Sequence, residues 1–263
     1  MKHELQNINL VRLNKAIAMS GLVSRRKADD LIKRGKVKVN NKVVVDFNTR
    51  VSPLDKLEVN GKPLRAKNHR YLLFYKPRDC ITTTKDELGR KTIYEYLPEE
   101  FSYLKPVGRL DRDSEGLLLL TNDGDFINRV LHPKNKIKKT YVVTIDAVLK
   151  KSEIELIMNK LRSGVTLDTK VSKVDSIEQM FFEQGQKMKQ TVFEIVIHEG
   201  INRQIRRMFQ VLGYSVDKLK RIKIGPLNLN NIKNLQRGKY IELDKKTAYA
   251  IIQSENTNRS ARP

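Results

Sequence analysis

The hydrophobic positions of this chain change period several times along its length, and each change predicts an element. In "SRRKADDLIKRG" Ala28, Leu31 and Ile32 recur at helical spacing. Ser24 stands where an N-cap is needed and Gly35 where a helix ends. A shorter helix carrying Leu13 and Ile17 precedes it. Next, "VKVNNKVVV" alternates around Asn40-Asn41, which predicts a β-hairpin whose turn residues take positive φ. Residues 60–70, "NGKPLRAKNHR", read as a linker. Beyond them "RYLLFYKP" predicts a strand stopped by Pro77, and Leu117 to Leu120 a short strand buried on both faces. Ser152 and Glu155 read as a capping box opening "SEIELIMNKL". "TVFEIVI" (191–197) alternates, so that Phe193, Ile195 and Ile197 share a face.

Strands and helices interleave irregularly, which predicts an α+β fold. A small α/β domain (1–67) is followed by a larger one (68–252) with a mainly antiparallel, mixed sheet. The polar tail 253–263 is expected to be disordered.

Charge sharpens this division. The chain carries 52 Lys and Arg against 30 Asp and Glu, a net of +22. Residues 1–67 hold sixteen Lys/Arg and six Asp/Glu, so nearly half of the excess sits in a quarter of the length. Arg12, Lys15, Arg25, Arg26, Lys33, Arg34 and Lys36 surround the two predicted helices. A solvated helix face is the plain reading, but density of one sign favours contacts with nucleic-acid phosphates. A single cysteine, Cys80, leaves no internal disulfide and no Cys-rich zinc site. The first fifteen residues show no apolar signal segment and no run reaches a membrane span, so a cytoplasmic protein is expected.

The acids of "GRLDRDSEGLLLLTNDG" (108–124) are the candidate chemistry. Asp111, Asp113, Glu115 and Gly116 imitate positions 1, 3, 5 and 6 of a calcium loop. Position 12 is then Asn122 where a bidentate Glu is required, and positions 7 to 10 are leucines. The metal reading fails on these positions. His3, His69, His132 and His198 are scattered, and neither a P-loop nor a G-x-G-x-x-G is present. What remains is a carboxylate on a turn held by a buried strand.

The same stretch resembles the central motif of the RNA pseudouridine synthases of the RsuA/RluB/RluF type. The resemblance continues in "KKTYVVTI" (138–145) and "EGINRQIRRMF" (199–209), and more weakly in "YKPRD" (75–79), where the family usually has Gly after KP. "VRLNKAIAMSGLVSRRKADDLIKRGKVKVNNKVV" likewise resembles the S4-like RNA-binding domain. Together they imply an RNA-binding module followed by a catalytic domain of pseudouridine synthase fold. The implied activity is isomerisation of a uridine in ribosomal RNA, without cofactor or metal.

By this resemblance Asp111 is the essential carboxylate, which either attacks the anomeric carbon or removes the 2′ proton. Arg206, in "QIR", is the cation that keeps it ionised. Tyr141, in "KTY", packs against the target base, and Arg109 enters the RNA stack in place of the flipped nucleotide. On a helical projection Ile205, Met208, Phe209 and Leu212 form one face, with Arg206 on its flank and Arg203 and Arg207 opposite, toward phosphates. Asp113 and Glu115 are expected to accept hydrogen bonds within the turn. "EGINRQIRRMFQVLGY" is closer to the RluB and RluF branches, which favours 23S over 16S ribosomal RNA, and a monomer is expected. The competing class is a non-catalytic ribosome-binding or assembly protein, with metal-dependent RNA hydrolysis further behind.

Overall fold

The structure, a computed structural model, describes residues 10–65, 68–84, 86–180 and 190–253. It divides into two compact units. One runs to His69 and includes Asn122–Gly124; the other holds Arg70–Thr121 and the chain from Asp125 onward.

In the first unit, helices α1 (Leu13–Met19) and α2 (Arg25–Lys33) pack on short strands. Ser24 caps α2 by accepting from the Lys27 amide, and Gly35 follows with φ +66°. Strand β1 (Val11–Arg12) pairs with β4 (Arg50–Val51). A second sheet runs β3 (Lys42–Val43), β2 (Val37–Val39), β5 (Leu57–Val59), β6 (Lys62–Pro63). The β2–β3 turn is Asn40-Asn41, both at positive φ as the alternation predicts. Leu13, Ile17, Ala28, Ile32, Val37, Val51 and Val59 form the core. The predicted linker starts too early: Asn60 (φ 51°) and Gly61 (φ 74°) turn a second hairpin, β5–β6. Asn-Gly is a strong hairpin signal, obscured here because the returning strand is two residues long and ends in proline.

The second unit is built on one nine-stranded sheet. Its path is β13 (Ser176–Gln179), β14 (Thr191–Ile197), β10 (Lys139–Ile145), β15 (Val216–Ile224), β9 (Ser114–Thr121), β7 (Tyr71–Lys76), β17 (Tyr240–Leu243). The short strands β8 (Lys105–Pro106) and β16 (Leu227–Asn228) add to β9 and β15, while β11 (Val165–Leu167) and β12 (Lys170–Ser172) form a separate hairpin. Among the described residues β9–β15 is the one parallel ladder in the sheet, so the mixed, mainly antiparallel expectation holds.

The four leucines show why this sheet is stable. Leu118 and Leu120 face one core, with α4 (Lys151–Ser163) and α5 (Gln204–Val211) over it. Leu117 and Leu119 face the other, under α3 (Gly124–Leu131) and α6 (Lys245–Gln253). Each is 0–1% exposed, so each contributes about 2 kcal/mol of burial. Helix α4 begins earlier than predicted: Glu153, not Glu155, closes the cap by accepting from the Lys150 amide at 2.8 Å. Lys150 and Glu153 stand at the same three-residue spacing as Ser152 and Glu155, and Lys150 has the extended φ/ψ of an N-cap. Helix α6 reaches Gln253, the first residue of the predicted tail; 254–263 lie outside the described residues.

Candidate active site

Asp111 lies on the turn between Leu110 and Ser114, just before β9. Five consecutive carbonyls of that turn are gripped. Thr82 Oγ1 donates to Leu110 O at 2.8 Å and accepts from the Leu110 amide at 3.3 Å. The Lys76 ammonium donates to Asp111 O at 3.0 Å and Ser114 O at 2.8 Å, and its third proton reaches Pro77 O at 3.0 Å. The Asp79 amide takes Arg112 O at 2.8 Å, and Arg206 Nη2 takes Asp113 O at 3.0 Å. With its peptide units fixed, the turn can hold the Asp111 carboxylate without help from the side chain itself.

Lys76 is the residue the sequence reading missed. It is fully buried at the end of β7, and burial holds its ammonium below the usual lysine range despite Cys80, Asp111 and Asp113 nearby. All three protons are committed to carbonyls, which is what makes the burial tolerable. The available signal was "YKPRD" itself, which places a lysine as the last residue of an otherwise apolar strand.

The arginines are arranged differently from the helical projection. Arg203, assigned to phosphates, lies 3.7 Å from Asp111 Oδ2 and grips Asp113 with both Nη atoms at 3.3 and 3.2 Å. Arg206, assigned to Asp111, spans Val216 O (2.6 Å), Asp113 O (3.0 Å) and Asp113 Oδ2 (3.2 Å). Arg203 precedes α5 with φ +47°, so the 100° progression that placed it opposite the apolar face does not apply to it. Arg207 pairs with exposed Asp168 at 2.7 Å, while Ile205, Met208 and Phe209 are buried as predicted.

These pairs also explain the acids. Burial acts to raise Asp113, but the Arg203 hydrogen bond and the Arg206 and Arg203 charges outweigh it and hold it below the usual carboxylate range. The same Asp113 bond raises Arg203, whereas desolvation lowers Arg206. Glu115 pairs with Arg237 at 3.0 Å, so Asp113 and Glu115 bind guanidinium groups, where hydrogen bonds within the turn were expected. Asp111, the least engaged acid, opens into a cleft of 740 Å3.

Tyr141, 8% exposed on β10, and Arg109, exposed beside Gly108, line that cleft with Asp111 and Arg203. Across the sheet the register sets Lys76, Gly116, Arg221, Tyr141 and Ile195 side by side. Gly116 has φ +114°, and a Cβ there would strike the Arg221 backbone. In the first unit Arg12, Arg25, Arg26, Arg34 and Lys36 are exposed without a carboxylate partner among the described residues. Lys33 is also exposed, its ammonium 5.5 Å from the Phe47 ring, and Lys15 is half-buried. Among the described residues no helix is long and apolar enough to cross a membrane.

In the second unit Asp111, Tyr141, Arg109, Arg203 and Arg221 thus line one cleft. The family model for RNA pseudouridylate synthase matches residues 70–211, and the S4 domain matches residues 11–57. The chain belongs to the RNA pseudouridine synthase family. It is 42% identical over 221 residues to the ribosomal large subunit pseudouridine synthase B of Bacillus subtilis, covering 84% of this chain and 88% of that one. An uncharacterized RNA pseudouridine synthase of Rickettsia typhi is 35% identical, covering 95% of this chain and 98% of its own. A crystal structure of a pseudouridylate synthase superposes with a TM-score of 0.62 at 27% identity, over 92% of this chain and 99% of that one.

Proposed function

We propose that this protein converts a uridine of large-subunit (23S) ribosomal RNA to pseudouridine, in the cytoplasm and as a monomer. The similarity to the Bacillus subtilis large-subunit enzyme over most of both chains supports the substrate. The proposed division of labour is that residues 1–67 dock structured RNA through Arg12, Lys15, Arg25, Arg26, Lys33, Arg34 and Lys36, while residues 68–252 act on the flipped base. A linked module adds effective concentration for the catalytic domain.

The observation that carries the reading is Asp111 itself. Its backbone is gripped, its carboxylate meets Arg203 at 3.7 Å, and it shares a cleft with Tyr141. In the proposed reaction the bond from C1′ to N1 breaks, a bond from C1′ to C5 forms, the C5 proton is lost to solvent, and N1 takes up a proton, so the product is an isomer of uridine. Asp111 either attacks C1′ or removes the 2′ proton, and fixed geometry serves both. Tyr141 packs on the base, Arg109 enters the vacated stack, and Arg206 holds the wall that positions Arg203. Arg207, already paired with Asp168, would reach phosphate by giving up an exposed ion pair worth little.

Because C5 loses its proton, RNA labelled with tritium at uridine C5 reports turnover directly. Release from 23S RNA and not from 16S RNA is expected. Release from 16S RNA alone would overturn the substrate, and tight binding without release from either would favour the assembly-protein reading.

A further inference from the structure

Arg221 is a buried guanidinium outside the contacts that hold Asp111 and Asp113. It is 4% exposed, near the middle of β15 and on the cleft wall. Its Nε donates to Leu117 O at 2.7 Å, passing over Gly116, where a side chain is excluded. Its Nη2 is buried with no hydrogen-bond partner, and no carboxylate pairs with it among the described residues. Ser114, 1% exposed on the same cleft, also carries a hydroxyl without a partner. The parallel ladder sets Ser114 against Leu219 and Gly116 against Arg221, so both unsatisfied groups belong to one patch of adjoining strands. Tyr141 is the register partner of Arg221 on the opposite edge.

Leaving a buried donor unpaired costs about 1–3 kcal/mol, and an ion more, so a polar ligand that answers both groups gains binding at this patch. The chemistry of the ligand follows from depth. A phosphodiester stays tied to both neighbouring nucleotides and remains at the rim, where Arg109 is exposed. A flipped nucleotide enters base first, and uracil offers two carbonyl oxygens. We infer that Arg221 Nη2, assisted by the Ser114 hydroxyl, donates to a carbonyl oxygen of the target uracil and stabilises the anion formed when the base departs. When the C1′–N1 bond breaks, its electron pair stays with the base, spread over N1, O2 and O4. C5 of the anion then bonds to C1′, the C5 proton leaves to solvent, its electron pair returns to the ring, and N1 takes up a proton. A donor fixed in advance in a dry site favours that charge without reorganising. This assignment rests on the pseudouridine synthase reading of the cleft.

A chemical double-mutant cycle tests it. Wild type, Arg221→Gln, Arg221→Lys and Ser114→Ala are each given substrate RNA carrying uridine, 2-thiouridine or 4-thiouridine at the target. Sulfur is a poorer acceptor, so it weakens one chosen contact. Single-turnover conversion, RNA affinity and melting temperature are measured. Loss of one fixed donor corresponds to about a 10²-fold fall in rate. Arg221→Gln is expected to show that fall with RNA affinity unchanged, and one thio substrate should slow wild type but not slow Arg221→Gln further. Arg221→Lys keeps a cation for the case in which the glutamine variant melts early, and should retain part of the rate and part of the thio effect. Additive losses for every variant and substrate would reduce Arg221 to a structural residue and overturn the assignment. Unslowed wild type on both thio substrates would do the same. No conversion of the uridine RNA by wild type would instead overturn the parent reading, and the assignment with it.

Discussion

Replacing Lys76 by methionine tests whether the clamp beneath Asp111 matters more than the strand that follows it. Methionine matches the length and apolar stem of lysine, so it fills the fully buried site without a cavity. It removes three donors, to Pro77 O, Asp111 O and Ser114 O. Hydrogen bonds from an ion are each worth about 1.5–3 kcal/mol. Removing the ammonium returns the several kcal/mol that burying an ion costs, which offsets most of this loss. The net fall in stability should therefore be only about 1–3 kcal/mol, given the Ser114 amide that still holds Asp111 O at 3.1 Å. Activity should suffer far more, because a displacement near 1 Å at a reacting group costs about 10²-fold. Urea denaturation gives the stability, and single-turnover conversion at saturating RNA gives the chemical step. A Lys76→Met protein that melts normally and converts RNA at the wild-type rate would refute the clamp.

Three further outcomes are expected. Gly116→Ala drives a Cβ into the Arg221 backbone at φ +114°, so urea denaturation should show a loss above about 2 kcal/mol; a neutral variant would mean that the two strands part freely there. The folded state holds Asp113 below its ordinary value of 3.8, so its stabilisation is complete above that pH and is lost as pH falls through the lowered value. Asp113→Asn should flatten the acid limb of stability against pH, and an unchanged limb would remove the Arg203 and Arg206 pairing as its cause. Arg25→Ala with Arg26→Ala should weaken RNA binding and shallow its salt dependence by about one to two in log-log slope, whereas an unaltered slope would take both residues out of the docking surface.

Much of the scaffold could be read from local pattern. The Asn40-Asn41 turn, the Ser24 cap and the buried Leu117–Leu120 strand rest on neighbours within a few residues, and each stands as expected. The site was legible in part. Asp111 and Tyr141 line one cleft although 30 residues separate them, and the motif resemblance had brought them together before any geometry. Three features were hidden for stated reasons. Lys76 reaches across 35 residues to Asp111, and no periodicity encodes such a bond. Arg203 departs from the helix it introduces through one left-handed φ, which moves it from the phosphate side to the carboxylates. Arg221 reads as an ordinary basic residue in "KLKRIKIG", and only the β9–β15 pairing reveals that it is buried over a glycine.

The most direct measurement of the central claim is pseudouridine mapping on 23S and 16S RNA incubated with the wild-type protein or with Asp111→Asn, without added metal or cofactor. One new pseudouridine is expected in 23S RNA with wild type and none with the variant, at equal RNA binding. The same site formed by Asp111→Asn, or no new site despite tight binding by wild type, would contradict it.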